Sequence, residues 1–157
     1  MIDKSFLSYA IMMTTSGVLF YAALADLKHY KISNELILAL AVLYFVHAGG
    51  TGQWMSIPRN GSFAIAIFVV LLWFYSRHWI GGGDVKILTV AFLWVGIDCA
   101  FLFSILLVVF TTLHVVGTKL GFATVNRQVC DGKERIPFAP SVAASLTGTF
   151  LSGCLGP

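Results

Sequence analysis

Long runs of apolar residues alternate with short polar segments along the chain, and this pattern predicts membrane-spanning helices. A spanning helix needs roughly 20 apolar residues, and fewer where the bilayer adapts to a shorter helix. Uncharged stretches run over residues 5–25, 36–58, 60–76, 87–97, 99–118 and 136–157. The pattern therefore predicts an all-α polytopic membrane protein, with six transmembrane helices in a single domain over residues 1–157.

The apolar stretch between Ile87 and Thr118 is too long for one span and is interrupted only by Gly96 and Asp98. We predict a tight turn at this interruption, which divides the stretch into the fourth and fifth spans. A re-entrant hairpin fits the same residues, since irregular backbone can enter a membrane where other protein covers it.

Polar residues and glycines at the ends of the apolar runs carry the usual signals of helix ends and turns. Ser33 or Asn34 can cap the second span, and Pro140 suits the first turn of the last. The glycine-rich segment 49–52 and the Arg-Asn-Gly segment 59–61 are predicted to be turns on the non-cytoplasmic side.

Composition and charge support a membrane protein and indicate its orientation. Only 11% of the residues are charged and mean hydropathy is +0.87, whereas soluble domains average about one quarter charged residues. On one predicted side lie Lys28, Lys31, Arg77, Lys86, Lys119, Arg127, Lys133 and Arg135, and on the other lie Lys4 and Arg59. The positive-inside rule then places both termini outside the cytoplasm. We expect membrane lipid around the chain and no nucleic-acid partner.

The cysteines do not form a recognisable site in the sequence. Cys99, Cys130 and Cys154 include no CxxC pair and no Cys/His spacing typical of zinc. We therefore expect ordinary buried or loop thiols, no metal site and no cofactor.

Two aspartates are predicted to lie at the same level of the membrane. The first span runs inward and ends at Asp26, and the fourth runs outward from Asp84, so both are near the cytoplasmic boundary. Asp98 is fourteen residues beyond Asp84, which is about 21 Å along a helix and too far to join them. Glu35 lies at the right level, but in a first helical turn where the helix dipole favours any carboxylate.

Two close carboxylates have a characteristic chemistry. Because like charges repel, the pair shares one proton, which leaves one carboxylate as a base and the other as an acid. The base takes a proton from an attacking water while the acid polarises a peptide carbonyl. Gly81 to Gly83 can admit a substrate backbone closely. A structural role is the alternative, with Asp84 as a helix cap and Asp26 as an ordinary interfacial acid.

Three segments resemble the type IV prepilin peptidases, which are GxGD membrane aspartyl proteases. The run from Gly81 to Lys86 is similar to the GxGD-x-K segment of that family. Asp26 with Ile32-Ser33-Asn34 is similar to its D-x5-I-P-N segment, and residues 137–140 resemble its proline-rich entry to the last span. The resemblance covers essentially the whole chain and is closest to the short forms of tight-adherence (Flp) pili.

The resemblance implies a bacterial inner-membrane aspartic endopeptidase with a GxGD core and no cofactor. Its substrate would be a prepilin or pseudopilin, whose leader is cut at the cytoplasmic membrane face. The residues implicated are catalytic Asp26 and Asp84, supporting Gly81, Gly83, Lys86 and Asn34, and substrate-binding Pro137 and Phe138. Ser33 replaces the usual proline, and the cysteine-bearing insertion of the N-methylating members is absent, so we do not expect methyltransferase activity.

Two other classes of function use the same residues. Acids inside a membrane beside a glycine break could bind a proton or cation, as in a small transporter. In a non-catalytic membrane scaffold, the same acids would only cap helices.

Overall fold

The computed structural model describes residues 4–29, 32–120, 129–130, 133–134 and 137–155. These residues form helices, short connecting segments and one pair of short strands. The elements are α1 (Lys4–His29), α2 (Asn34–Thr51), α3 (Ser56–Ser76), α4 (Gly82–Lys119), β1 (Val129–Cys130), β2 (Lys133–Glu134) and α5 (Ala139–Leu151). The prediction of an α-helical protein is confirmed, and the exception is the antiparallel pair of two-residue strands β1 and β2.

The first four helices are long and apolar enough to cross a membrane. Many of their large apolar side chains point away from the bundle, including Phe6, Met13, Phe101 and Val108. Outward-facing apolar side chains in such numbers need a lipid environment, because water would make their exposure costly. The apolar outer surface therefore supports the prediction of a membrane protein, in agreement with the sequence.

The ends of several helices follow the predicted signals. Ser33 is the N-cap of α2 and accepts a hydrogen bond from the Leu36 N–H. Gly52 ends the same helix in the left-handed conformation, with φ 79°, and Pro140 lies in the first turn of α5. The predicted turn at residues 59–61 is wrong, since these residues lie within α3. The predicted turn at residues 49–52 is correct only for Gly52, because residues 49–51 still belong to α2.

Helix α4 is interrupted at Gly96, which has φ 61° and ψ −174°. The rings of Phe92 and Phe103 lie on either side of this break with their centroids 5.1 Å apart. In a straight helix, eleven residues extend over about 16 Å, so contact between these rings requires the chain to turn back on itself. The predicted tight turn is thus confirmed, and it divides α4 into a first arm (82–95) and a second arm (97–119).

The number of helices differs from the predicted six. The described residues form five helices, because the predicted fourth and fifth spans are the two arms of α4. The last helix, α5, has 13 residues and is shorter than a typical span. The sequence pattern located the interruption correctly, but short apolar runs do not define how far a helix extends.

The core lies where α4 packs against α3, α5 and α2. Trp94 is 2% exposed, and its indole N–H donates to the Leu40 carbonyl of α2 over 2.9 Å. Phe103 is fully buried. This hydrogen bond and these packed rings hold the first arm of α4 inside the bundle. The start of this arm lies beside the start of α2.

A disulfide lies next to the α4 break. It joins Cys99 to Cys154, which follows the end of α5, so the expectation of unpaired thiols is wrong for these two residues. The turn at Gly96 carries Cys99 to the end of the bundle that α5 reaches, and this cannot be deduced from cysteine spacing. On the same side Arg59 forms an ion pair with Asp98. We call this region the disulfide end.

Candidate functional site

The predicted site residues lie at the opposite end of the bundle, which we call the aspartate end. Here α1 finishes while α2, α4 and α5 begin. Asp84 precedes the break at Gly96 by twelve residues, which is about 18 Å of helix. Four elements that are distant in sequence therefore contribute to one end of the molecule.

Asp26 lies in the last turns of α1 and is only 7% exposed. Its Oδ2 accepts a hydrogen bond from the Ala139 N–H, at the start of α5, over 3.1 Å. The Phe138 N–H contributes to the same carboxylate. A carboxylate at this position satisfies backbone donors that the helix cannot pair internally and complements its dipole. Asp26 thus has a structural function in addition to the catalytic role that the sequence predicts for it.

Asp84 lies in the first turn of α4 and is half-buried. Its carboxylate lies close to the residue that precedes the helix, since a Cβ atom on Gly81 would be 3.1 Å from Asp84 Oδ2. Gly81 has φ −74°, so it is not needed for a left-handed conformation. The absence of its side chain instead leaves room for the carboxylate.

Gly83 contacts the segment between α1 and α2. A Cβ atom on Gly83 would meet Ile32 Cδ1 at 3.8 Å, which is an ordinary contact distance. The start of α4 is therefore packed beside the segment that follows Asp26. This contact brings the GxGD-like run and the first-aspartate segment to one place.

Lys86 and Asn34 connect the same two segments. The Lys86 ammonium donates to Asn34 Oδ1 over 2.8 Å, and both side chains are exposed. The sequence could not assign a partner to Lys86, because the two residues are 52 positions apart. This hydrogen bond ties the start of α2 to the start of α4. Glu35, the other acid at this end, is exposed in the first turn of α2.

Pro137 and Phe138 lead into α5 beside Asp26. Pro137 is buried, and Phe138 has helical φ and ψ of −96° and −27°. Because the next N–H is bonded to Asp26, this segment already uses part of its backbone within the protein. Substrate contact through Pro137 and Phe138 stays a prediction.

His114, on the second arm of α4, is a further residue at the aspartate end. It lies close enough to Asp26 to interact with its carboxylate electrostatically. The sequence motifs do not include His114. An ionisable side chain within a spanning segment was nevertheless a usable signal, because such groups often mark functional sites.

The described residues contain no cluster of three or more His, Cys, Asp or Glu side chains suited to a metal ion. A cavity of about 380 Å³ lies at the disulfide end and is lined by residues that include Tyr44, His47, Asn60 and Asp98. None of the predicted site residues lines this cavity. The candidate site is therefore the junction of helix ends at the aspartate end.

Comparison with known proteins identifies one family. A family model described as the type IV leader peptidase family matches residues 13–117, which is two thirds of the 157-residue chain. The matched region includes both aspartates and His114, and ends before α5. No curated protein and no solved structure matches the chain.

Proposed function

Because the chain belongs to the type IV leader peptidase family, we propose that it is a membrane-embedded aspartic endopeptidase that cleaves the leader of type IV prepilins. Asp26 and Asp84 form the catalytic pair of this GxGD-type peptidase. Membership of the family makes the protein a peptidase and hence a hydrolase. The aspartic mechanism, the two residues and the Flp type of prepilin are parts of the proposal.

The observation that carries the proposal is the meeting of helix ends around the two aspartates. The Gly83–Ile32 packing and the Lys86–Asn34 hydrogen bond hold the start of α4 against the segment that follows Asp26. Two acids that are 58 positions apart in the chain are thereby carried on adjoining elements. This arrangement favours a shared catalytic role for the two aspartates over the alternative in which each aspartate only caps a helix.

The proposed reaction needs only water and the two carboxyl groups. The ionised aspartate takes a proton from water as the water oxygen attacks the carbonyl carbon of the scissile peptide. The protonated aspartate donates a hydrogen bond to the carbonyl oxygen and stabilises the charge that develops there. As the C–N bond breaks, the leaving nitrogen takes the proton that the first aspartate removed from the water, which releases the leader carboxyl group and the new amino terminus.

We place the aspartate end at the cytoplasmic face of the bacterial inner membrane. Disulfides persist in oxidising compartments outside the cytoplasm, and this supports an outward-facing disulfide end. Bases near the aspartate end agree with the positive-inside rule: Lys28, Arg77, Lys86 and Lys119. With two crossings by the arms of α4 and one by α5, the chain crosses the membrane six times and both termini lie outside the cytoplasm.

The proposal includes the short Flp-associated form of the enzyme, without N-methylation. The segment that joins the second arm of α4 to α5 covers only residues 120–138, which supports the absence of a large cytoplasmic insertion. We expect the mature pilin to carry an unmodified amino terminus.

Cleavage of a purified Flp-type prepilin by the protein in lipid vesicles tests this function. Mass spectrometry should show one cut that removes the leader, with no added methyl group on the mature chain when a methyl donor is supplied. Uncut prepilin under conditions where the protein is folded would contradict the proposal. It would favour the non-catalytic scaffold, for which the capping of α5 by Asp26 is the supporting observation.

A further inference from the structure

The second arm of α4 and helix α5 run in opposite directions, side by side. The second arm starts at the disulfide end, where α5 finishes near Cys154. A Cβ atom on Gly148 would lie 3.3 Å from Leu106 Cδ1, which fixes the register of this contact. Eight residues further along α4 is His114, and nine residues back along α5 is Ala139. His114 and Ala139 are therefore separated from the Leu106–Gly148 contact by similar lengths of helix, about 12–14 Å each.

This register places His114 level with the start of α5, where Asp26 binds the Ala139 N–H. The electrostatic interaction between His114 and Asp26 agrees with that placement. Three elements therefore surround the carboxylate, namely α1, the start of α5 and the second arm of α4.

Two polar atoms on this part of α4 are buried without a hydrogen-bond partner among the described residues. They are His114 Nε2 and Thr111 Oγ1. Residues three apart on a helix lie on the same face, about 5–6 Å from each other. A buried polar atom left without a partner lowers stability, so two neighbouring ones indicate a place where a polar partner belongs.

We propose that Thr111 and His114 bind the prepilin backbone next to the scissile bond, through hydrogen bonds from the Thr111 hydroxyl and the His114 imidazole. This inference rests on the proposed function and adds a substrate-binding surface to it. An extended peptide presents unpaired N–H and C=O groups, and residues two apart repeat on one side at about 6.8 Å. That spacing is close to the separation of the two side chains on α4.

The chemistry of both groups suits a peptide backbone. A threonine hydroxyl can donate or accept, and a neutral imidazole nitrogen does either according to its tautomer. Within a membrane, a bound peptide needs such partners because water is scarce and unpaired backbone groups are costly. In the proposed reaction, water is the nucleophile and the two aspartates are the base and the acid. Thr111 and His114 therefore contribute by binding substrate and take no part in making or breaking bonds.

Steady-state cleavage of a synthetic peptide that spans the leader junction of a Flp-type prepilin tests the proposal. Thr111→Val keeps the shape of the side chain but removes its hydroxyl, and we expect kcat/KM to fall about three- to tenfold. Thr111→Ser restores the hydroxyl and should recover most of that loss. His114→Leu should weaken cleavage similarly, whereas His114→Gln retains a hydrogen-bonding group and should be less impaired.

Thr112→Val is the matched control, because the Thr112 hydroxyl is exposed and already donates to the Val108 carbonyl. It should cleave like the unaltered protein. A binding readout separates substrate recognition from damage to the catalytic step: in an Asp84→Asn background, Thr111→Val should weaken binding of the fluorescently labelled peptide by the same factor. Unfolding temperatures in detergent report whether each variant is folded.

Equal cleavage by Thr111→Val and the unaltered protein would overturn the inference, as would equal losses in Thr111→Val and Thr111→Ser. Failure of the proposed function would give a different result. If the proposed function were wrong, the unaltered protein would leave the peptide whole, or the Asp84→Asn variant would still cut it.

Discussion

At the scale of single residues, the glycines before Asp84 have different roles. A side chain on Gly81 would press on the Asp84 carboxylate, whereas one on Gly83 would meet Ile32 at an ordinary distance. The sequence predicts that Gly81 to Gly83 can admit a substrate backbone closely, and the structure adds that Gly81 lies next to the Asp84 carboxylate. The direct effect on catalysis is therefore expected first at Gly81.

Replacement of these glycines by alanine should separate the two roles. Gly81→Ala puts a Cβ atom 3.1 Å from Asp84 Oδ2, and the carboxylate must move by a few tenths of an ångström. Because small misplacements are costly in catalysis, we expect kcat to fall about tenfold or more. Gly83→Ala should stay within about threefold, and the larger Gly83→Leu should impair cleavage by displacing Ile32.

Cleavage rates per molecule of membrane-inserted protein measure this difference, with protein levels determined by immunoblot. Gly117→Ala is a suitable control, since nothing lies within 4 Å of its added Cβ atom. A greater loss in Gly83→Ala than in Gly81→Ala would show that packing of α4 against the segment between α1 and α2 matters more than the position of the carboxylate.

At the scale of elements, the break in α4 determines the fold. The sequence located this break because Gly96 and Asp98 interrupt an apolar stretch that is too long for one span. It could not show that the Asn60 side chain lies against Gly96, since that contact joins α3 to α4. The same limit applies to Asp26, whose Ala139 partner is 113 positions away. Local patterns predict helices and turns, but contacts between distant elements depend on packing.

Gly96→Ala should destabilise the protein strongly. Gly96 has φ 61°, and an added Cβ atom would lie 2.5 Å from Asn60 Oδ1. The backbone strain costs about 1–3 kcal/mol, and the overlap with Asn60 adds to it. We expect a lower unfolding temperature in detergent, and Gly96→Ala with Asn60→Ala should recover only the part due to overlap.

The same measurement on Gly117→Ala provides the comparison, because Gly117 lies in a helix with open space around its Cβ position. That change should be neutral or slightly stabilising. Similar destabilisation by both substitutions would contradict a special conformational requirement at Gly96.

At the scale of the whole molecule, the two ends of the bundle differ in chemistry. The aspartate end carries Asp26, Glu35 and Asp84, whereas the disulfide end has Cys99–Cys154 and the Arg59–Asp98 pair. Charge counting predicted which side each loop occupies. Cysteine spacing could not predict the disulfide, because the two residues are 55 positions apart and meet only through the fold.

Thiol labelling tests the disulfide and with it the distinction between the two ends. In membranes isolated without reductant and then denatured in the presence of a maleimide polymer, we expect one addition before reduction, at Cys130. Reduction should then expose two further thiols, from Cys99 and Cys154. A Cys99→Ser variant should show two reactive thiols without reduction. Three reactive thiols in the unreduced protein would contradict an oxidised pair and the orientation based on it.

The most direct measurement of the central claim is prepilin cleavage by aspartate variants in lipid vesicles. Asp26→Asn and Asp84→Asn should each lower the rate at least about a hundredfold, because acid–base groups commonly contribute 10²–10⁴. Asparagine at position 26 retains an oxygen that can accept the Ala139 N–H, so the fold should survive. Asp98→Asn, which removes an exposed acid at the disulfide end, should cleave normally. Cleavage at the unaltered rate by either Asp26→Asn or Asp84→Asn would contradict the account.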